Sequence, residues 1–260
     1  MPASAISVLI PVFDGERLLA EAIESVLVQS LPAAEVVVVD DGSSDGSATV
    51  AESFGPPVRV LRRPHRGAAA ARNTGVEESV GELIAFQDAD DLMKPDRLER
   101  QAAALGQGSS PALTLGRAEV RGEDGFAAPP WLAHAYENSD RYTPASMIAT
   151  RSALELVGPF DETMRRGSDT DWLLRALEAG VRPVLMEEDV IVRRFHGGNL
   201  SYGYEGYRQA MFGILRRRAA RQRDAGRRLP ADALSATLLL GVPDPGGVSH
   251  EPPPDGPASS

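Results

Sequence analysis

The apolar positions of the first hundred residues follow two alternating patterns. Ile6-Ser7-Val8-Leu9-Ile10 and Glu35-Val36-Val37-Val38-Val39 are short runs rich in β-branched residues, as expected of strands buried on both faces of a parallel sheet. Between them Leu18, Leu19, Ala22, Ile23, Val26 and Leu27 recur at helical spacing, so the segment reads strand, helix, strand. The alternation continues through a helix around 45–54, a strand at Val58-Arg59-Val60-Leu61, a helix from Ala68 to Ser79 and a strand from Glu82 to Gln87. A further helix follows from Pro95, where proline suits a first turn. From about 106 to 142 the periodicity weakens around Pro129-Pro130-Trp131, and strands with a variable loop are expected. A second organised block begins near Thr143, with a helix through Asp171 to Leu177, strands at 183–186 and 190–194, and a helix from about Tyr204 to Arg223. The stretch from Pro243 to Ser260 is Pro- and Gly-rich, the composition of a disordered tail. The chain therefore reads as α/β, a Rossmann-like, mostly parallel central sheet flanked by helices.

Composition narrows the function. The 260 residues are 42% hydrophobic and 25% charged, ordinary globular chemistry for one large domain or two small ones. There is no cysteine, which removes disulfide scaffolds, thiolate zinc sites and cysteine nucleophiles. No run approaches the roughly 18 apolar residues that span a bilayer, and the start Met1-Pro2-Ala3-Ser4-Ala5 has no signal-like block, so a cytoplasmic location is expected. The net charge of −10 argues against a nucleic-acid partner. That average hides ten arginines between Arg193 and Arg228, opposed only by Glu205 and Asp224.

The polar clusters fall where the predicted strands end, the edge at which parallel sheets bind ligands. Asp88-Ala89-Asp90-Asp91 follows the fourth strand, and carboxylates at i and i+2 can converge on one hard cation that also takes phosphate oxygens. The plain alternative is an acidic turn capping the next helix, with Asp91 or Lys94 solvated. Asp40-Asp41-Gly42-Ser43 ends the second strand; Asp40, after four valines, needs a partner and has the chemistry to accept a bond from a nucleobase N–H. Gly67 allows close backbone approach, and Arg72 lies about a turn into the next helix, in reach of a phosphate or of an aspartate of the fourth-strand loop. Asp169 opens the later helix beside Trp172, either as a cap or as a general base. His196 follows the last strand as a lone histidine, a weak signal by itself.

Taken together, Ile10-Pro11-Val12-Phe13-Asp14-Gly15-Glu16, Val39-Asp40-Asp41-Gly42-Ser43-Ser44-Asp45, Gly67 with Ala71-Arg72-Asn73-Thr74-Gly75, Gly81-Glu82 before Ala85-Phe86-Gln87-Asp88-Ala89-Asp90-Asp91, Gly158-Pro159-Phe160-Asp161-Glu162 and Asp169-Thr170-Asp171-Trp172 resemble a family 2 glycosyltransferase of the GT-A fold. The resemblance runs from residue 6 to about 201. It implies inverting, non-processive transfer of one sugar from a nucleotide sugar, most often a UDP-sugar, to an acceptor hydroxyl, with Mg²⁺ or Mn²⁺. Position by position, it implies that Pro11, Val12, Asp14 and Glu16 border the nucleoside, with Asp40 reading the base. Arg72, with Gly67 before it, lies beside base and diphosphate, and Asp88 and Ala89 lie near ribose or sugar. Asp90 binds the metal, His196 in an Arg-x-His element touches the diphosphate or completes the metal shell, and Asp169 is the base. Two departures stand out: Phe13-Asp14 where the family more often has Tyr-Asn, and Ser168 where it has an acidic neighbour of the base.

The motif order divides the chain into a catalytic domain at 1–201, an Arg-rich helical extension at 202–240 and the tail at 241–260. A nucleotide-sugar binding or scaffold protein that has lost activity is the alternative that Ser168 leaves open. For the extension two readings stand. Tyr204, Tyr207, Met211, Ile214 and Leu215 share one helical face amid arginines, which suits peripheral contact with an anionic membrane through 204–228; equally, the helix packs on the domain and balances its acidic body.

Overall fold

The computed structural model describes residues 5–106, 111–123, 125, 142–181, 183–196 and 204–224. The expected variable loop around Pro129-Pro130-Trp131 and the tail from Pro243 lie outside the described residues. The first half builds as its apolar pattern demands: β1 (Ile6–Val12), α1 (Glu16–Leu27), β2 (Glu35–Asp40), α2 (Ser47–Glu52), β3 (Val58–Arg62), α3 (Ala68–Glu78) and β4 (Leu83–Phe86). Val36 to Val39 are fully buried because helices cover both faces of the sheet.

The chain then continues through β5 (Leu92–Met93), α4 (Arg97–Leu105), β6 (Leu113–Gly122), a 3₁₀ turn at Pro144–Ser146, β7 (Ile148–Thr150) and α5 (Arg151–Val157). It ends with α6 (Ser168–Glu178), β8 (Pro183–Phe195) and α7 (Tyr204–Asp224).

One sheet of eight strands runs in the order β3-β2-β1-β4-β7-β6-β8-β5. Its β3-β2-β1-β4 half is parallel, whereas β7 is antiparallel to β4 and β6, and β5 is antiparallel to β8. The sheet is therefore more mixed than the sequence pattern predicts. The strands expected at 183–186 and 190–194 are one strand, β8, which pairs in parallel with β6 across a register irregularity at Gly116 to Ala118. Two apolar layers sandwich the sheet. Leu9, Val37, Phe86, Phe160 and Trp172 lie in one, and Val8, Ile10, Ile23, Val38 and Leu98 in the other, as period-two alternation along the strands requires.

The last helix docks on the body. Ile214 and Met211 are buried, Arg217 pairs with Asp161, and Arg221 pairs with both Asp171 and Glu178. This agrees with the charge-balancing reading and corrects the predicted apolar face. Leu215 points outward with Phe212, because the residues three apart that meet the body are Met211 and Ile214. The side chains of Tyr204, Tyr207 and Arg208 lie outside the described residues.

Candidate active site

Strand register places the site. Val12 pairs with Asp40 and Asp40 with Arg62, while Leu9 lies opposite Phe86. The loops after β1, β2, β3 and β4 therefore leave the sheet along one edge. They are tied to one another mainly by side-chain carboxylates accepting backbone N–H groups. Asp14 accepts from Ser44 N at 2.7 Å, Glu16 from Gly46 N at 2.9 Å and Asp45 from Glu16 N at 3.0 Å. Asp14 itself sits at φ 49°, the left-handed region that aspartate tolerates better than most residues.

Asp40 is buried, and its Oδ1 accepts from Ser43 N at 3.0 Å. Its neighbour Asp41, only 2% exposed, does more of the loop-building. It accepts from the N–H groups of Arg66 and Gly67 and pairs with Arg63 and His65. The close approach requires Gly42, at φ 81°, where a Cβ would meet His65 N at 2.8 Å. His65 in turn faces Phe13, with ring centroids 4.2 Å apart. Sequence reasoning valued Asp40 and passed over Asp41; the adjacent carboxylates were visible, but which one turns toward the third loop depends on tertiary contact.

The acidic loop after β4 is the centre of the arrangement. Asp88, Asp90 and Asp91 each present an oxygen within 4.8 Å of the others. Arg72, reaching from the first turns of α3, lies 3.2 Å from Asp88 and 3.8 Å from Asp169 at the start of α6. His196 Nε2 lies 3.1 Å from Asp90 Oδ2. Residues separated by more than a hundred positions thus meet at one point, among them Arg72, Asp88, Asp90, Asp169 and His196. Pro11 and Val12 end the strand beneath this edge, Ala89 packs against the core under it, and Gly67 at φ 95° is the N-cap of α3.

The loop does not cap α4, and neither Asp91 nor Lys94 is simply solvated. No side chain caps α4, Asp91 is buried and accepts from Arg194 N at 3.0 Å, and Lys94 bonds Glu119. Arg194, with no exposed surface, donates to Asp90 O at 2.5 Å and Leu18 O at 3.1 Å and pairs with Glu21. It fastens the acidic loop to α1 and β8. The sequence signal for it was the Arg-x-His element, in which attention fell on the histidine.

The three carboxylates respond differently. Burial, then the charges of Asp90 and Asp169, raise the Asp88 carboxyl against the opposing pull of Arg72. Burial and the charges of Asp90 and Asp88 push Asp91 well above the ordinary range. For Asp90 burial acts upward too, but the His196 hydrogen bond and the Arg193 charge outweigh it and hold the group low. Crowded carboxylates whose mutual repulsion is only partly countered, offering hard oxygens beside one imidazole, suit a hard divalent cation. The residues fit such an ion.

Asp169 Oδ1 accepts from Thr170 N at 2.7 Å, and 28% of its side chain is open. The N-cap residue Gly167 offers no side-chain bond, so Asp169 combines a bond to the first-turn N–H of Thr170 with an open second oxygen facing Arg72. Trp172 is fully buried, donating to Gly158 O at 2.8 Å, and Asp171 bonds Arg175 and Arg221; both serve packing.

The sequence profile described as Glycosyl transferase family 2 matches residues 7–169. The chain belongs to this family. It is 30% identical over 193 residues to glycosyltransferase AglE of Haloferax volcanii, an alignment that covers 67% of this chain and 62% of that protein. An uncharacterized glycosyltransferase of Rickettsia felis is 27% identical over 207 residues, 74% of this chain and 34% of the relative. The chain thus spans about a third to three fifths of the length of these family 2 relatives. Among solved structures, S. aureus TarS 1-349 in complex with UDP-GlcNAc superposes with TM-score 0.61 at 21% identity, over 81% of this chain and 65% of that one. The GT-A type of fold is shared.

Proposed function

We propose that this family 2 member is an inverting glycosyltransferase that moves one sugar from a nucleoside-diphosphate sugar to an acceptor hydroxyl. The observation that carries the reading is Arg72 reaching both Asp88, at 3.2 Å, and Asp169, at 3.8 Å, beside the pair of Asp90 and His196. Donor-side and acceptor-side functions need to face each other across one reacting carbon, and these residues come from opposite halves of the chain. UDP-GlcNAc in the TarS complex favours a UDP-sugar donor.

In this scheme the loops after β1, β2 and β3, with Asp14, Glu16, Asp40 and Gly67, border the nucleoside, and Arg72 meets the diphosphate. Asp88, Asp90, Asp91 and His196 would hold a divalent cation, whose charge, when bound, favours departure of the diphosphate. Asp169 takes the proton of the acceptor hydroxyl as the hydroxyl oxygen of the acceptor bonds the anomeric carbon. The bond from that carbon to the diphosphate oxygen breaks with its electron pair leaving on the diphosphate, so one displacement inverts the centre. Holding both substrates in one cleft supplies much of the remaining acceleration.

A thermal-shift panel of UDP, GDP, dTDP and UDP-sugars with and without Mn²⁺ tests donor class and metal together, since a ligand of the folded state raises its stability. A metal-dependent shift with a uridine nucleotide is expected; no metal-dependent shift with any nucleotide overturns the reading. Asp169→Asn is expected to keep the shift and lose turnover, and equal turnover by that variant would remove Asp169 as base. No helix among the described residues is long and apolar enough to cross a membrane. Contact with anionic lipid through the outward face of α7, where Phe212, Leu215 and Arg216 are exposed, is part of the same proposal.

A further inference from the structure

The arginines of α7 are distributed with a bias that charge balance alone does not require. Arg217 pairs with Asp161 Oδ2 at 2.5 Å and bonds Thr163 Oγ1 at 3.1 Å. Arg221 bonds Asp171 Oδ1 at 2.9 Å and Glu178 Oε2 at 2.8 Å, and Arg218 lies 3.6 Å from Glu178. These partners, Asp161, Thr163, Asp171 and Glu178, all belong to the loop that leads into α6 or to α6 itself. Between them lies Asp169.

The apolar contacts converge on the same turn. Gly167, immediately before α6, holds φ 74°, and a Cβ there would meet Ile214 Cδ1 at 2.8 Å. Ile214 has no exposed surface, and Met211 is buried beside it. Asp171, two residues past Asp169, is 2% exposed, and Arg221 closes one of its oxygens while Arg175 closes the other. The turn bearing Asp169 is thus gripped before and after that residue by one helix. That helix, 204–224, lies wholly outside the stretch matched by the family profile.

We infer that α7 is a strap that sets the position of Asp169, with Arg221 and Ile214 as positioning residues. The inference rests on the reading of Asp169 as base. A carboxylate misplaced by about 1 Å costs on the order of a hundredfold in rate, and without the strap Gly167 leaves the turn a free hinge. The donor loops have fastenings of their own, through Asp41, Asp14 and Arg194, and meet the segment before α6 through Arg66 with Glu162 and Asn73 with Phe160. Loosening α7 therefore loosens 161–173 more than the acidic loop after β4.

The test compares wild type, Arg221→Met, Arg221→Lys and Asp169→Asn in the full chain. Amide hydrogen exchange read by mass spectrometry is followed over 161–173 and over 85–93, alongside hydrolysis of whichever nucleotide sugar of the donor panel the protein turns over. Arg221→Met is expected to raise exchange in 161–173 and not in 85–93. Its kcat is expected to fall about 10- to 100-fold with the donor KM within about twofold, and Arg221→Lys to recover part of both. Unchanged exchange at 161–173, or an equal rise in both segments, overturns the strap. So does an unchanged kcat in Arg221→Met while Asp169→Asn is inactive. Full turnover by Asp169→Asn refutes the base assignment instead, and the exchange comparison still decides whether α7 holds the turn.

Discussion

Asp41 and Asp171 are equally buried, each 2% exposed, yet they are held by different means. Asp41 accepts backbone N–H groups of Arg66 and Gly67 in addition to its ion pairs. Asp171 accepts from two arginine side chains, one on its own helix and one on α7. The pattern extends to their surroundings: Asp14, Asp40, Asp45 and Glu16 all take loop N–H groups, while Asp161 and Glu178 both take arginines of α7, Asp161 in addition to Thr163 N. Backbone donors are fixed by the sheet and insensitive to salt. Arginines bring long, rotatable stems whose fixation costs entropy, and partly exposed pairs are screened. The edge assigned to the donor is therefore preformed, and the edge assigned to the acceptor is adjustable.

The contrast can be broken by substitution. Asp41→Ala strands two N–H groups and leaves the Arg63 charge without its carboxylate, with only Thr74 Oγ1 as partner among the described residues, and a loss of about 3–5 kcal/mol in urea unfolding is expected; a loss no larger than that of Asp171→Ala would erase the distinction. Gly167→Ala meets both the left-handed φ and Ile214, and a cost of about 1–3 kcal/mol is expected in the same measurement. Raising salt from 0.05 to 1 M is expected to speed amide exchange in 161–173 and leave 41–47 unchanged.

A pH series sharpens the same point on the opposite edge of the sheet. Burial acts to raise the Glu35 carboxyl, but Ser7 Oγ at 2.6 Å, Val80 N at 2.7 Å and Arg59 outweigh it and hold the group below its usual value of 4.5. A depressed folded-state value means stability that is present above about pH 4.5 and lost as pH falls through the folded-state value. Glu35→Gln is therefore expected to be about 1–2 kcal/mol less stable at pH 7, with a flatter decline below pH 4.5. The smallest effect is expected at the outer face of α7: Phe212→Glu with Leu215→Glu changes stability by less than about 0.5 kcal/mol. The same pair is expected to abolish co-sedimentation with anionic vesicles; binding that survives the change would exclude this face from the contact.

The sequence carried the parallel half of the fold almost residue by residue, because valine runs and helical periods are local signals. Asp88 and Asp90 stand out for a related reason, since a polar cluster directly after an apolar run marks a strand end, whereas Asp169 stands out as a carboxylate at the start of a helix. What it did not carry is set by pairing at a distance. The strand β7, three residues long, and the two-residue β5 have no periodicity to read. The continuity of β8 depends on β6, about seventy positions earlier. Arg97 and Arg194, both without exposed surface, look like solvated charges until their carbonyl partners are known. The face of α7 was misjudged at Leu215 because a helix crowded with arginines offers more than one apolar stripe.

Arg194 also bears on the order in which the molecule is made. The residues it fastens, Asp90 and Asp91, precede it by 104 and 103 positions. During synthesis the parallel strands from β1 to β4 emerge first and have their partners at hand, whereas the clamp that Arg194 places between the acidic loop and α1 must wait for β8. Long-range closure of this kind is slow relative to local pairing. A nascent chain halted before β8 would own a nearly complete half-sheet and a set of carboxylates lacking the bonds of Arg194 and His196, so the acidic corner is the last part of this edge to mature.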